Sequence, residues 1–162
     1  MLIGILSDTH DELDRTRAAI RMMQDEGVGL VVHCGDLASA EIVAACAVLP
    51  FYFVFGNHDA DVVPELLQAA KAHHAVCLEW GGEFSVSHKR IAVAHGHMTM
   101  DIKPLLDSHP DYLLSGHSHI AQDWRDGATR RINPGAVYRA DEKSVAILNL
   151  ETDDVRFLPV PD

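Results

Sequence analysis

A chain of 162 residues with 48% hydrophobic side chains is the size of one ordinary domain, with enough apolar surface for a sizeable core. Its 24 acidic residues against 13 basic ones give a formal charge of −11, which argues against a surface built to grip nucleic acid or anionic lipid, because phosphate backbones are held mainly by Lys and Arg. Any phosphate the protein handles is expected to meet a local cation.

"LIGIL" (2–6) reads as a strand, and 13–23 as a helix stopped by Gly27. That opening run lacks the basic leader and small-residue cleavage site of a secretory signal. No apolar run approaches the roughly 20 residues of a membrane span, so a soluble, cytoplasmic protein without membrane contact is expected. A strand over 28–34, a helix over 39–49 ended before Pro50, a strand over 51–55 and a helix over 62–74 follow. Three strand-then-helix units in succession imply a parallel sheet joined by crossover helices.

The second half changes character. Residues 83–95 read as two strands around a short turn, and 124–132 carries Asp126-Gly127, a strong hairpin signal. "SVAILNL" and "VRFLPV" read as a last strand pair around Thr152, Asp153 and Asp154. These strands are expected to pair antiparallel in a second sheet, packed face to face on the first with helices outside. Residues 98–110 and 120–125 read as loops that would wall a pocket. Cys34, Cys46 and Cys77 are odd in number and lack C-x-x-C spacing, so they read as reduced core residues.

In an open α/β sheet, ligands bind beyond the carboxyl ends of the strands. Here those ends supply Asp8 and His10, then Asp36, then Asn57, His58 and Asp59, then His95 and His97, and finally His117 and His119. Each alone has a plainer explanation, since Asp caps helices, Asn follows Gly in turns and a single His is usually solvated. Five successive apolar runs ending in Asp, Asn or His outweigh those separate explanations. Imidazole nitrogen mixed with carboxylate and amide oxygen suits Mn, Zn, Fe, Ni or Co, and the absence of thiolates argues against a closed structural zinc site. The inventory exceeds six ligands, which two metals sharing a bridging carboxylate account for better than one. His33 reads as a core residue; His73, His74, His88 and His109 read as solvated.

The series D-x-H (Asp8, His10), G-D (Gly35, Asp36), G-N-H-D (Gly56 to Asp59), H-G-H (His95 to His97) and G-H-S-H (Gly116 to His119) resembles the calcineurin-like metallophosphoesterases in order and spacing. The short chain looks like their small, capless prokaryotic phosphodiesterases, and "INPGAV" (132–137) is similar to their N-P-G-S segment. The resemblance implies an α/β fold: a four-layer αββα sandwich of two mixed sheets flanked by helices, formed as a single domain over 1–162. It implies one metal on Asp8, His10, Asp36 and His119, and a second on Asp36, Asn57, His95 and His117, with Asp36 bridging. His117 and His119 would then serve different metals, as alternate residues of an extended segment with a merely small serine between them.

The two divalent ions are expected to be Mn, with Fe, Ni, Co or Zn as alternatives. The expected reaction is hydrolysis of a small phosphodiester by a hydroxide bridging the metals. His58 would be the general acid, oriented by Asp59, with Asn57 and His97 touching substrate. Many small members have Cys where His58 stands, so this motif looks more like that of the wider superfamily. Ala136 replaces their usual Ser. Arg125 and Arg139 are candidates to meet a substrate phosphate, with an ordinary surface role as the plainer reading. The alternatives are a scaffold protein with a vestigial metal site, like the retromer subunit that resembles this family, or a phosphomonoesterase or nuclease. A homo-oligomer formed through a strand edge, or through helix faces such as Met22 and Met23, is also considered.

Overall fold

The computed structural model describes residues 1–162. The first sheet contains β1 (Leu2–Leu6), β2 (Leu30–His33), β3 (Phe51–Phe53) and β4 (Val76–Cys77), extended beyond β1 by β10 (Ser144–Asn149) and β11 (Asp154–Pro159). Its order is β11-β10-β1-β2-β3-β4, with β1 to β4 parallel and β10 and β11 antiparallel. The crossovers are α1 (Leu13–Asp25), α2 (Ala40–Cys46) and α3 (Val63–Ala72), the last preceded by a 3-10 turn over Asn57–Val62. The second sheet runs β5 (Gly81–Val86), β6 (Lys89–Ala94), β7 (Tyr112–Leu114), β9 (Thr129–Pro134) and β8 (Ala121–Asp126), and α4 (Thr99–Asp107) packs on β5 and β6.

Alternation along β1 shows how the layers form. Leu2 and Leu6 face the helices, in a core with Ile20, Met23, Ile42 and Leu66, whereas Ile3 and Ile5 face the second sheet. There they join Val32 of β2, Ile91 and Val93 of β6, Leu114 of β7 and Ile132 of β9. Two apolar faces on one sheet explain why its strands read as continuous hydrophobic runs. The expected sandwich of two mixed sheets with flanking helices is thus observed.

Several local expectations need correction. The β10–β11 hairpin belongs to the first sheet: β10 lies against β1, with Leu148 opposite Ile3. The second sheet is not purely antiparallel, because β6–β7 and β7–β9 are parallel. Residues 99–107 form α4 despite Pro104, and 121–126 form β8, so neither segment is a loop. Met23 is fully buried and unavailable to a partner. Cys34 and Cys46 are buried and Cys77 half-buried, all as free thiols. No helix is long and apolar enough to cross a membrane.

Candidate metal centre

The carboxyl ends of β1, β2, β3, β6 and β7 open at one edge of the sandwich, and the loops beyond them carry the predicted residues. Asp8 and Asp36 are buried there. His10 Nε2 lies 3.6 Å from both Asp8 Oδ1 and Asp36 Oδ2; His95 Nε2 lies 3.2 Å from Asp36 Oδ2 and 3.9 Å from Asp8 Oδ1; His119 Nε2 lies 3.1 Å from Asp8 Oδ1. Asp8 with His10 and His119, Asp36 with His10 and His58, and Asp8 with Asp36 and His95 each bring three potential ligand atoms within 4.8 Å of one another.

The tautomers are set from behind. His95 Nδ1 donates to the Cys34 carbonyl (2.8 Å), and His119 Nδ1 to that of Arg139 (3.2 Å), because a carbonyl can only accept. In the neutral rings Nε2 then presents a lone pair toward the aspartates, the arrangement of a metal-binding imidazole. The Nε2 atoms of His10 and His95 are buried without a hydrogen-bond partner. Such orphans are costly unless a cation meets them, and nitrogen beside carboxylate oxygen is a donor set that divalent transition ions fit.

Burial by itself would raise the pKa of Asp8, but His10, His95, His119 and the Ser7 hydroxyl (2.6 Å) bring it below the ordinary value. Asp36 follows the same pattern, with burial opposed by His95, the His58 backbone N–H and His10, and ends low. Both aspartates are therefore ionised at neutral pH. Burial disfavours a charged His95 ring, yet Asp36 and Asp8 outweigh it and its pKa is raised.

Asp8 (φ 54°), His10 (42°), Asp36 (62°), His117 (69°) and His119 (63°) all have left-handed backbones. Such residues cost about 1–3 kcal/mol each and persist where their surroundings over-determine them. Asp59 shows how. Its Oδ2 accepts from the N–H groups of Asp36 (2.8 Å), Leu37 (3.2 Å) and Gly56 (2.8 Å), and its Oδ1 from that of Ala38 (2.8 Å). The expectation that Asp59 orients His58 is therefore corrected: the carboxylate is occupied by backbone donors and makes no bond to the His58 ring. It fastens the Asp36 loop instead.

The motif glycines are required by close approach. A Cβ on Gly56 would strike the Asp36 carboxylate and come within 2.5 Å of its amide, and one on Gly116 would strike the Ser7 hydroxyl and Asp8 Oδ2.

His117 does not follow an extended segment. Left-handed turns at His117 and His119 separate the two rings: His117 lies 5.1 Å from the His95 ring, whereas His119 lies 5.8 Å from the His10 ring. Ser118 is more than small, since its Oγ accepts from Asn133 Nδ2 (3.0 Å) and from the Ile120 N–H (3.3 Å). Asn133 also donates to the Gly116 carbonyl (2.9 Å), so the N-P-G segment braces the two-histidine loop. Sequence reasoning noted that segment without seeing this job.

Asn57 and His58 are exposed at the rim, with the His58 ring 5.1 Å from that of His10. His97 lies 6.1 Å from Trp80 and from His117, with Nδ1 buried and unpartnered. His33 is buried; its Nδ1 accepts from the Gly35 N–H (3.1 Å), its Nε2 lies 3.0 Å from Thr9 Oγ1, and burial pushes its pKa down to about 3. His73, His74, His88 and His109 are exposed.

Comparison with known proteins agrees with this geometry. A phosphodiesterase of Methanocaldococcus jannaschii is 29% identical, the alignment covering 96% of this chain and 97% of that protein. A probable metallophosphoesterase of Methanothermobacter thermautotrophicus is also 29% identical, over 93% and 87%. The solved structure of an archaeal phosphodiesterase superposes with a TM-score of 0.89 at 27% identity, covering 99% of this chain and 100% of the other. A phosphoesterase from E. coli shares the fold at a TM-score of 0.69 and 18% identity, covering 99% and 100%. The calcineurin-like phosphoesterase superfamily domain matches residues 1–153, and the chain, a metal-dependent phosphoric ester hydrolase, belongs to that superfamily.

Proposed function

We propose that the protein hydrolyses small phosphodiesters at a two-metal centre. One ion would be held by Asp8, His10, Asp36 and His119, the other by Asp36, Asn57, His95 and His117, with Mn the first candidate. The observation that carries this reading is the pair of buried, ionised aspartates faced by imidazoles whose Nε2 atoms have no other partner. Phosphodiesterase relatives matched along nearly the whole chain support the substrate class.

Divalent ions bound there supply charge neutralisation at phosphate oxygens and an activated water. The protein's part is to hold its aspartates ionised and its ligands in register. The carbonyls of Cys34 and Arg139 keep His95 and His119 in the ligating tautomer. His58 is exposed at the rim with its own N–H anchored on Asp36 Oδ1 (2.9 Å), which supports it as the group that meets the leaving-group oxygen. It donates the proton that oxygen needs. Asn57 and His97 complete the mouth as substrate contacts.

The test is hydrolysis of bis-p-nitrophenyl phosphate by metal-stripped protein with Mn restored, beside Asp36→Ala, with bound metal counted by atomic emission. Turnover that returns with Mn in the wild type alone supports the reading. A folded protein that binds no metal and turns over nothing points to a scaffold instead. His58→Ala is expected to lose about 10²- to 10⁴-fold on an alkyl diester and much less on the p-nitrophenyl ester, whose leaving group needs no proton. Undiminished alkyl-ester turnover removes His58 from the acid role.

A further inference from the structure

The two arginines that the sequence offers to a substrate phosphate are separated by the structure. Arg125 is neutralised by Asp153 at 2.6 Å. Lys143, close to Arg139 in sequence, is paired with Asp162 at 2.9 Å. Arg139 has no carboxylate partner, although acids outnumber bases almost two to one in this chain. Its guanidinium carbon lies 5.5 Å from the centre of the Tyr138 ring, and that ring lies 6.0 Å from the ring of His10.

The backbone beneath is fixed to the metal centre at two points. The Tyr138 N–H donates to the Asp8 carbonyl (3.1 Å), and the Arg139 carbonyl accepts from His119 Nδ1. Arg139 is exposed, so its N–H groups face solvent at the mouth. A guanidinium held over an aromatic ring by a cation–π contact keeps N–H groups free for bidentate contact with an anion. The aspartates and ions of the centre would deal with the scissile phosphate. A cation over the ring that neighbours His10 suits a second negative group on the same substrate.

We infer that Arg139, held over the Tyr138 ring, is a specificity-determining residue that receives a second anionic group, such as a terminal phosphate, on one arm of the diester. The inference rests on the phosphodiesterase reading for the identity of the first phosphate. It also gives a strongly acidic protein a way to favour a doubly charged small substrate without a basic groove.

The experiment compares thymidine dinucleotides bearing no terminal phosphate, a 5′-phosphate or a 3′-phosphate, using wild type, Arg139→Ala and Arg139→Lys. Alanine is no more strained than arginine at φ 58°, and the carbonyl that holds His119 is retained. The wild type is expected to prefer one phosphorylated form by about tenfold in kcat/KM, mainly through KM, as one charge-assisted contact supplies. The preference should collapse toward unity in Arg139→Ala and survive in part in Arg139→Lys. A wild type indifferent to the terminal phosphate, or a preference that persists in Arg139→Ala, overturns the inference. Calorimetric titration of the same three dinucleotides reads the preference without turnover. A protein that cleaves none of them therefore counts against the phosphodiesterase reading, while the binding ratios still decide on Arg139.

Discussion

At the floor of the metal centre, Asp8, Asp36, His95 and Asp59 are buried and tied to backbone or to one another. At its rim, Asn57, His58 and His117 are exposed and their side chains make no hydrogen bond. Floor and rim lie within a few residues of one another in sequence, Asp59 directly following His58. What separates them is which side chain turns toward the packed sheets. The floor fixes ligand spacing, which metal chemistry tolerates poorly if loose, and the rim stays free to follow a substrate that enters and leaves.

Substitutions that cross this boundary should differ in size. The largest effect is expected at Asp36→Asn, which removes a buried charge faced by His10 and His95 and disturbs both proposed ions. Metal content should fall and turnover should drop by more than the roughly 100-fold that loss of an outer supporting group costs. Retention of two metals per chain in that variant would break the assignment of Asp36 as the shared ligand.

Next comes Asp59→Asn, which leaves the ligands in place but weakens the acceptor of four N–H groups. About 10- to 100-fold in metal affinity is expected, with lower stability of the metal-free protein in urea. A loss confined to kcat, with metal affinity intact, would restore Asp59 to the His58 side of the boundary.

A smaller effect is expected from pH. His33 has its pKa depressed from 6.5 to about 3 by burial, so the unfolded chain takes up its proton while the folded one does not. This group's contribution is therefore complete above pH 6.5 and is lost progressively as pH falls toward 3. Between pH 7 and 5 the metal-free wild type should lose about 2 kcal/mol more than His33→Gln, measured by urea unfolding. Parallel curves would mean that His33 is hydrated or charged in the fold.

The smallest effect should be Arg125→Ala. That pair is exposed, and Asp153 keeps Arg130 and Tyr112 (2.5 Å), so less than about 1 kcal/mol and unaltered turnover are expected.

The division between floor and rim also marks what the sequence can convey. Asp8, Asp36 and His95 were legible because a buried strand of "LIGIL" or "IAVA" type must end somewhere, and a polar residue at that end has few other reasons to be there. The role of Asp59 was not legible. Its neighbour His58 suggested an acid and its helper, but three of its four donors come from a loop more than twenty residues earlier, and only the packing of β2 beside β3 brings them within reach. The same limit hid the membership of the last hairpin. Its turn is local, whereas its attachment to β1 is a matter of Leu148 meeting Ile3. Helix α4 was missed because it buries no residue and contains Pro104, so neither periodicity nor composition marked it.

The four amides gathered by Asp59 have a consequence in time. They belong to two separate stretches of chain, and none can keep its partner if that carboxylate leaves. Hydrogen–deuterium exchange should therefore register Asp36, Leu37, Ala38 and Gly56 as one opening event with one rate, slower than the amides of the exposed rim. Because Asp59 reaches the Asp36 loop from beyond β3, the loop is expected to take its left-handed shape only after β2 and β3 have paired. Pulse-labelled refolding should then show these four amides protected later than those of β2 and β3, and a chain that collapses before that step would lack a complete site in which to trap the wrong ion.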